Sequence, residues 1–309
     1  MEKWSAVAQV VAPIFISVFA GMVARRRNMF TVSEIKGMQQ YVMKFGLPCV
    51  LFNSCLSASM GAESLASMAM VFPTILLFTL LAFFVLRRRM PYHNLPVLFA
   101  AQESGMLGIP LYMTLFGADQ VFRMGVLDLA QSPVCIPTLA ILSAAQGENP
   151  SLGTIVKNVF KSPLLLMSAA GLILNLSGAK AALDQMGVLS IITETTSFIA
   201  QPVSALMLFS VGFTFSLAAG RRNTILRLCA IHFLLLAGAG LIMQGVMCFL
   251  PQVDAATRWA ILMYTTLPGS YIATTMGRTQ EETEVASGVC SLLTLVSLVV
   301  FCIMAVAVA

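Results

Sequence analysis

Leu95-Pro96-Val97-Leu98-Phe99-Ala100-Ala101-Gln102-Glu103-Ser104-Gly105-Met106-Leu107-Gly108-Ile109-Pro110 opens an apolar segment, Leu95–Phe116, that is long enough to cross a bilayer yet broken near its middle. Polar residues, two glycines and a proline stand where a spanning helix should be smoothest, and a helix interior tolerates them badly. A second segment, Ala256–Gly277, is interrupted by Leu267-Pro268-Gly269-Ser270. They are the fourth segments of two successive sets of five. Paired interruptions in matching positions of two halves point to a transport site at the breaks.

Working outward, the chain is 58% apolar and only 10% charged, with a mean hydropathy of +0.89. Soluble domains lie far from those values, so the bilayer is the solvent. With about 20 apolar residues needed per crossing, the runs divide into ten spans: 6–24, 38–59, 67–86, 95–116, 122–145, 161–178, 194–218, 225–250, 256–277 and 285–308. The expected organisation is a first five-helix unit over 1–146, a linker over 147–160 containing Gly147, Pro150, Ser151 and Gly153, and a second five-helix unit over 161–309.

Positive charge sets the expected orientation. Thirteen Lys and Arg residues fall in the odd-numbered connections, among them Arg25–Arg27, Arg87–Arg89, Lys157, Lys161, Arg221, Arg222 and Arg278, against Lys3, Arg123, Lys180 and Arg258 on the other side. Both termini are therefore expected outside and the linker in the cytoplasm. The net charge of +5 reads as topology and membrane anchoring, not as nucleic-acid binding. The first helix reads as retained, since its Arg cluster follows the apolar run instead of preceding it. All seven cysteines lie in apolar spans without metal or redox spacing and read as packing residues.

Five spans per half oblige the second half to enter from the opposite side, so any repeat is inverted. Leu47-Pro48 matches Gln201-Pro202, and Gly117-Ala118-Asp119-Gln120 matches Gly277-Arg278-Thr279-Gln280. Breaking a helix leaves backbone groups that only protein or a water-filled cavity can satisfy. The freed half-helix N-termini suit a carboxylate, and the freed carbonyls suit a cation or a proton donor.

Buried ionisable residues are functional candidates at bilayer depth. Glu103 sits in the first break. Asp128, Gln131 and Ser132 follow at helical spacing in the fifth span. Lys44 and Asn53 lie in the second span, with Glu194 at the mouth of the seventh; Lys44 paired with Asp128 or Glu194 would be structural. His232 reads as an interhelical hydrogen-bond partner.

Glu103-Ser104-Gly105-Met106-Leu107-Gly108-Ile109-Pro110-Leu111 with Phe116-Gly117 resembles the fourth-helix motif of the auxin efflux carrier family. Leu47-Pro48 with Leu51-Phe52, Gly171-Leu172 with Leu174-Asn175, and Leu267-Pro268 resemble its second, sixth and ninth helices. The resemblance implies an all-α membrane protein of ten transmembrane helices in two inverted five-helix repeats, with crossovers in helices 4 and 9, similar to sodium/proton antiporters and bile-acid symporters. It also implies elevator-type transport and a homodimer. Plant members carry auxin and bacterial members malonate and other small carboxylates; this chain is similar to compact bacterial forms, which places it in the inner membrane.

Where the family has Asn at the first crossover, this chain has Glu103. An ionised carboxylate there repels an anionic substrate, whereas a protonated one donates to it. The expectation is a secondary or facilitative carrier of a small organic acid bound among Asn53, Gln102, Glu103, Ser104, Gln131, Ser132, Pro268, Gly269 and Ser270. Glu103 and Asp128 would couple protons. No metal or organic cofactor is expected, the coupling ion being a proton or sodium. A sodium-coupled carrier, a carrier selecting cations or zwitterions through Glu103, and a non-transporting receptor stay open. Hydrolase motifs such as His-Glu-x-x-His or Gly-x-Ser-x-Gly do not occur, so no enzyme is expected.

Overall fold

The computed structural model describes residues 2–58, 61–146, 153, 157, 161–215, 221–249 and 253–308. Most of the expected linker 147–160, including Gly147, Pro150 and Ser151, lies outside the described residues.

The described residues are helical throughout, apart from turns and two breaks. Helix α1 (Glu2–Arg26) is followed by α2 (Val32–Tyr41), which runs through a wider π turn at Val42–Gly46 into α3 (Leu47–Leu56). Helix α4 (Ala62–Leu81) continues through Ala82–Leu86 to the triplet Arg87–Arg89. The first broken segment comprises α5 (Val97–Ala100), a π turn at Ser104–Gly108 and α6 (Ile109–Phe116). Next come α7 (Phe122–Ala144), α8 (Pro163–Leu176), α9 (Ala179–Gln185), α10 (Val188–Ala200) and α11 (Val203–Thr214). Then α12 (Arg222–Met247) leads to the second broken segment, α13 (Ala255–Tyr264) and α14 (Ile272–Thr275), and α15 (Gln280–Val308) closes the chain.

Among the described residues, six helical stretches are long and apolar enough to cross a membrane: Val7–Arg26, Ala62–Arg89, Ala118–Ala144, Val188–Thr214, Arg222–Met247 and Gln280–Val308. The chain is thus a multi-pass membrane protein. The other four expected spans differ for physical reasons. The second, 38–59, carries Gln39, Gln40, Lys44 and Asn53. The fourth and ninth are broken, and α8 with α9 is bent by 84°. The second helix also begins at Val32, six residues before the expected boundary, because Thr31 caps it: its side chain accepts from the Glu34 N–H while Glu34 reaches back.

Large side chains such as Ile16, Leu77, Phe84, Phe198 and Ile242 are more than half exposed. In water that surface would drive aggregation; against lipid it is the expected exterior. Packing is closest where side chains vanish. Helix α1 lies on α11, and a Cβ at Gly21 would collide with the Phe209 carbonyl, as one at Gly212 would with that of Val18. Helix α8 packs on α3, where the Asn175 amide donates to the carbonyls of Cys55 (3.1 Å) and Ala58 (2.7 Å).

Candidate functional site

The two breaks meet. Gln102 and Gly269 form an antiparallel bridge, flanked by Glu103 N–H donating to the Pro268 carbonyl (2.9 Å) and Ser270 N–H donating to the Ala101 carbonyl (2.9 Å). Backbone groups that lost helical partners thereby satisfy each other far from water. The approach is close enough to require glycine, since a Cβ at Gly269 would run into the Leu98 backbone. The same Leu98 carbonyl takes a hydrogen bond from His232 Nε2 (3.0 Å), so His232 ties α12 to the break, the interhelical role expected of it.

Helix α7 supplies the second layer. Gln131 accepts from the Gln102 N–H (2.6 Å) and donates to the Gln102 carbonyl (3.2 Å). It also donates to Asp128 Oδ1 (2.7 Å) and accepts from the Tyr264 hydroxyl (2.7 Å). Ser104 donates to the same Asp128 oxygen. Ser132 turns back on its own helix, donating to the Asp128 carbonyl (3.2 Å). Across the crossing, Glu103 Oε2 accepts from the Tyr271 N–H (2.8 Å). Both half-helices that start at the breaks thus already face a carboxylate of the protein itself: Asp128 at Ser104 and Glu103 at Tyr271. No Lys or Arg hydrogen-bonds to either carboxylate among the described residues.

A family model described as membrane transport protein matches residues 6–153, close to half of the chain. Those residues belong to the membrane transport protein family. It is the auxin efflux carrier family whose motifs the fourth segment carries, and the match includes the first break with α2, α3 and α7. No curated protein sequence matches the chain.

Most of the candidate residues converge on the crossing: Gln102, Glu103, Ser104, Gln131, Pro268, Gly269 and Ser270, with Asp128 and Ser132 beside them. Asn53 does not join them. Its amide donates to Ser197 (3.2 Å) and accepts from Thr196 (2.7 Å), linking α3 to α10. Lys44 and Glu194 are exposed, and the ion pairs among the described residues are Arg123 with Asp254 and Arg221 with Glu281. The Lys44 pairing considered from sequence is therefore corrected: the Asp128 carboxyl is met by Ser104 and Gln131 instead.

Gln102 is 2% exposed and neither polar atom of its side chain finds a partner in the protein. Asp128 also lines a cavity of about 240 Å³ whose walls are otherwise mostly aliphatic, including Leu51, Ile109, Leu129, Leu165 and Leu172. Sequence reasoning missed Tyr264 and Tyr271, whose contacts with Gln131 and Glu103 join residues more than a hundred positions apart. No local signal marks them.

Proposed function

We propose that the protein is a secondary or facilitative carrier of a small organic acid, built as ten transmembrane helices in two inverted five-helix units over 1–146 and 161–309. In this reading the unit holding the crossing moves against the rest in an elevator-like cycle. The assembly is a homodimer in a bacterial inner membrane, with both termini outside. One observation carries the reading: two broken segments from opposite halves pair their backbones around Glu103 and a partnerless Gln102. A purely structural helix crossing has no use for a buried amide left unbonded.

The two carboxylates suggest how an anion could be handled. Asp128 and Glu103 sit where a substrate carboxylate would accept from Ser104 and Tyr271. If ionised, they compete with it; once protonated, they release those donors and can donate to the substrate themselves. Proton uptake would then accompany cargo binding. That neither carboxylate has a cationic partner among the described residues favours one rival, a carrier of cations or zwitterions.

Uptake of labelled malonate, succinate and benzoate into proteoliposomes, with and without an inward proton gradient, tests the reading. Uptake should be accelerated by the gradient, and Glu103→Gln, which keeps an acceptor for Tyr271, should remove that acceleration. Sodium-dependent uptake indifferent to Glu103→Gln would support a sodium-coupled carrier. Amine uptake would support the cation reading. Substrate binding without flux would support a receptor.

A further inference from the structure

A second cavity, about 440 Å³, lies between the end of α1, α2, the end of α11 and the chain that follows the second break. Arg25, Lys36 and Gln39 line it from one side, and Tyr271, Thr274 and Thr283 from the other. None of its lining residues is acidic.

Neither cation on the wall is paired with an acid among the described residues. Arg25 donates to the carbonyls of Phe213 (3.2 Å) and Phe215 (2.7 Å), which fixes the guanidinium at the end of α11 without removing its charge. Lys36 enters no ion pair among the described residues. The acids beside it do not line it: Glu103 lies behind the Tyr271 N–H (2.8 Å), Glu284 accepts from Gln280 (2.8 Å), and two more are held by their own neighbours. Glu34 accepts from the Thr31 N–H (2.6 Å) and hydroxyl (2.9 Å), and Glu281 is held by Arg221 (3.0 Å) and Tyr92 (3.1 Å). A concave, partly apolar space with two positive charges and no negative one concentrates anions.

Its position gives that charge a use. Tyr271 lines the cavity, and its backbone N–H is bound to the Glu103 carboxylate (2.8 Å). We infer that the cavity is an anion vestibule in which Arg25 and Lys36 gather small carboxylates one residue away from the crossing. Two cations favour dicarboxylates over monocarboxylates. The inference rests on the organic-acid reading above.

Local potential can be measured directly. Gln39→Cys is introduced with Cys248→Ser, which removes the exposed native thiol. It is reacted with a negatively charged (sulfonatoethyl) and a positively charged (trimethylammonioethyl) methanethiosulfonate, and the protein without Gln39→Cys gives the background. The anionic reagent should be favoured about tenfold relative to a free thiol. Lys36→Glu should abolish that preference, and malonate should slow the modification. Ser287→Cys, on the same cavity wall, serves if Gln39→Cys fails to fold. Equal rates for the two reagents, indifference to Lys36→Glu, no protection by malonate, or no reaction with either reagent would each overturn the vestibule. Malonate flux is read on the same protein. Flux without anionic preference refutes the vestibule and leaves the carrier reading standing, whereas anionic preference and protection without flux do the reverse.

Discussion

The Gln131 amide brackets the Gln102 peptide, accepting from its N–H at 2.6 Å and donating to its carbonyl at 3.2 Å. One side chain thus completes the hydrogen bonding of a residue that the break has taken out of its helix. Gln131→Ala would leave the buried Gln102 N–H and the Tyr264 hydroxyl short of partners, while the Gln102 carbonyl keeps the Ser104 N–H (2.8 Å). Each loss costs about 1–3 kcal/mol. The expected outcome is a clear fall in the melting temperature in detergent, together with loss of flux. Gln131→Glu should recover part of the stability, since it retains acceptors for the Gln102 N–H and Tyr264.

Gly269 and Gly105 should part company. At Gly269 an added Cβ meets the Leu98 backbone, with Cα and C both at 3.0 Å, and backbone cannot swing aside as a side chain can. Gly269→Ala should cost about 1–3 kcal/mol or more by overpacking and open the Gln102–Gly269 pairing. At Gly105 the nearest atom is the Met43 sulfur at 3.8 Å, an ordinary contact. Gly105→Ala should leave the melting temperature unchanged or slightly raised. Equal damage from the two substitutions would mean that the close approach at Leu98 is not what Gly269 provides.

Both breaks were legible because proline, glycine and polar residues inside apolar runs have few other uses. That they pair backbone to backbone was not, since a bridge between positions 102 and 269 leaves no local trace. The early start of α2 could have been read: Thr31 and Glu34 spell a capping box, yet the charged turn that follows resembles a connection. Asn53 is a site candidate from its place in the second span and from the family resemblance, and helix rotation sends it toward α10. The Arg25 and Lys36 cavity escaped notice for a related reason. Positive residues at span ends read as membrane anchors, and only the packing of α11 and α14 reveals that these two also line a cavity.

His93, in the connection ahead of α5, gives a pH prediction. Burial holds its imidazole below the ordinary value of 6.5; the hydrogen bond to the Leu142 carbonyl opposes this, the Arg278 and Arg87 charges add to it, and Glu282 opposes it. The folded protein therefore binds this proton less tightly than the unfolded chain does. Stability from the neutral imidazole is present above pH 6.5 and is lost as the pH falls below it toward the folded-state value. His93→Gln keeps a donor for Leu142 and does not titrate. Its melting temperature should decline less than that of the unaltered protein as the pH is lowered through 6.5. Parallel declines would remove His93 from the account.

Gln102 separates stability from function. Its side-chain amide is buried without a partner in the protein, a condition that costs about 1–3 kcal/mol on mutational scales. Leucine has a similar reach and no polar atoms, and neither the backbone bonds to Gln131 nor the bonds that flank the pairing with Gly269 involve the side chain. Gln102→Leu should therefore match or exceed the unaltered protein in melting temperature, yet lose most of its malonate flux. Strain kept at a functional site is released in this way when function is removed. A Gln102→Leu protein that is destabilised and still transports would show that the amide serves the fold, and would move the substrate contacts to Ser104, Asp128 and Glu103.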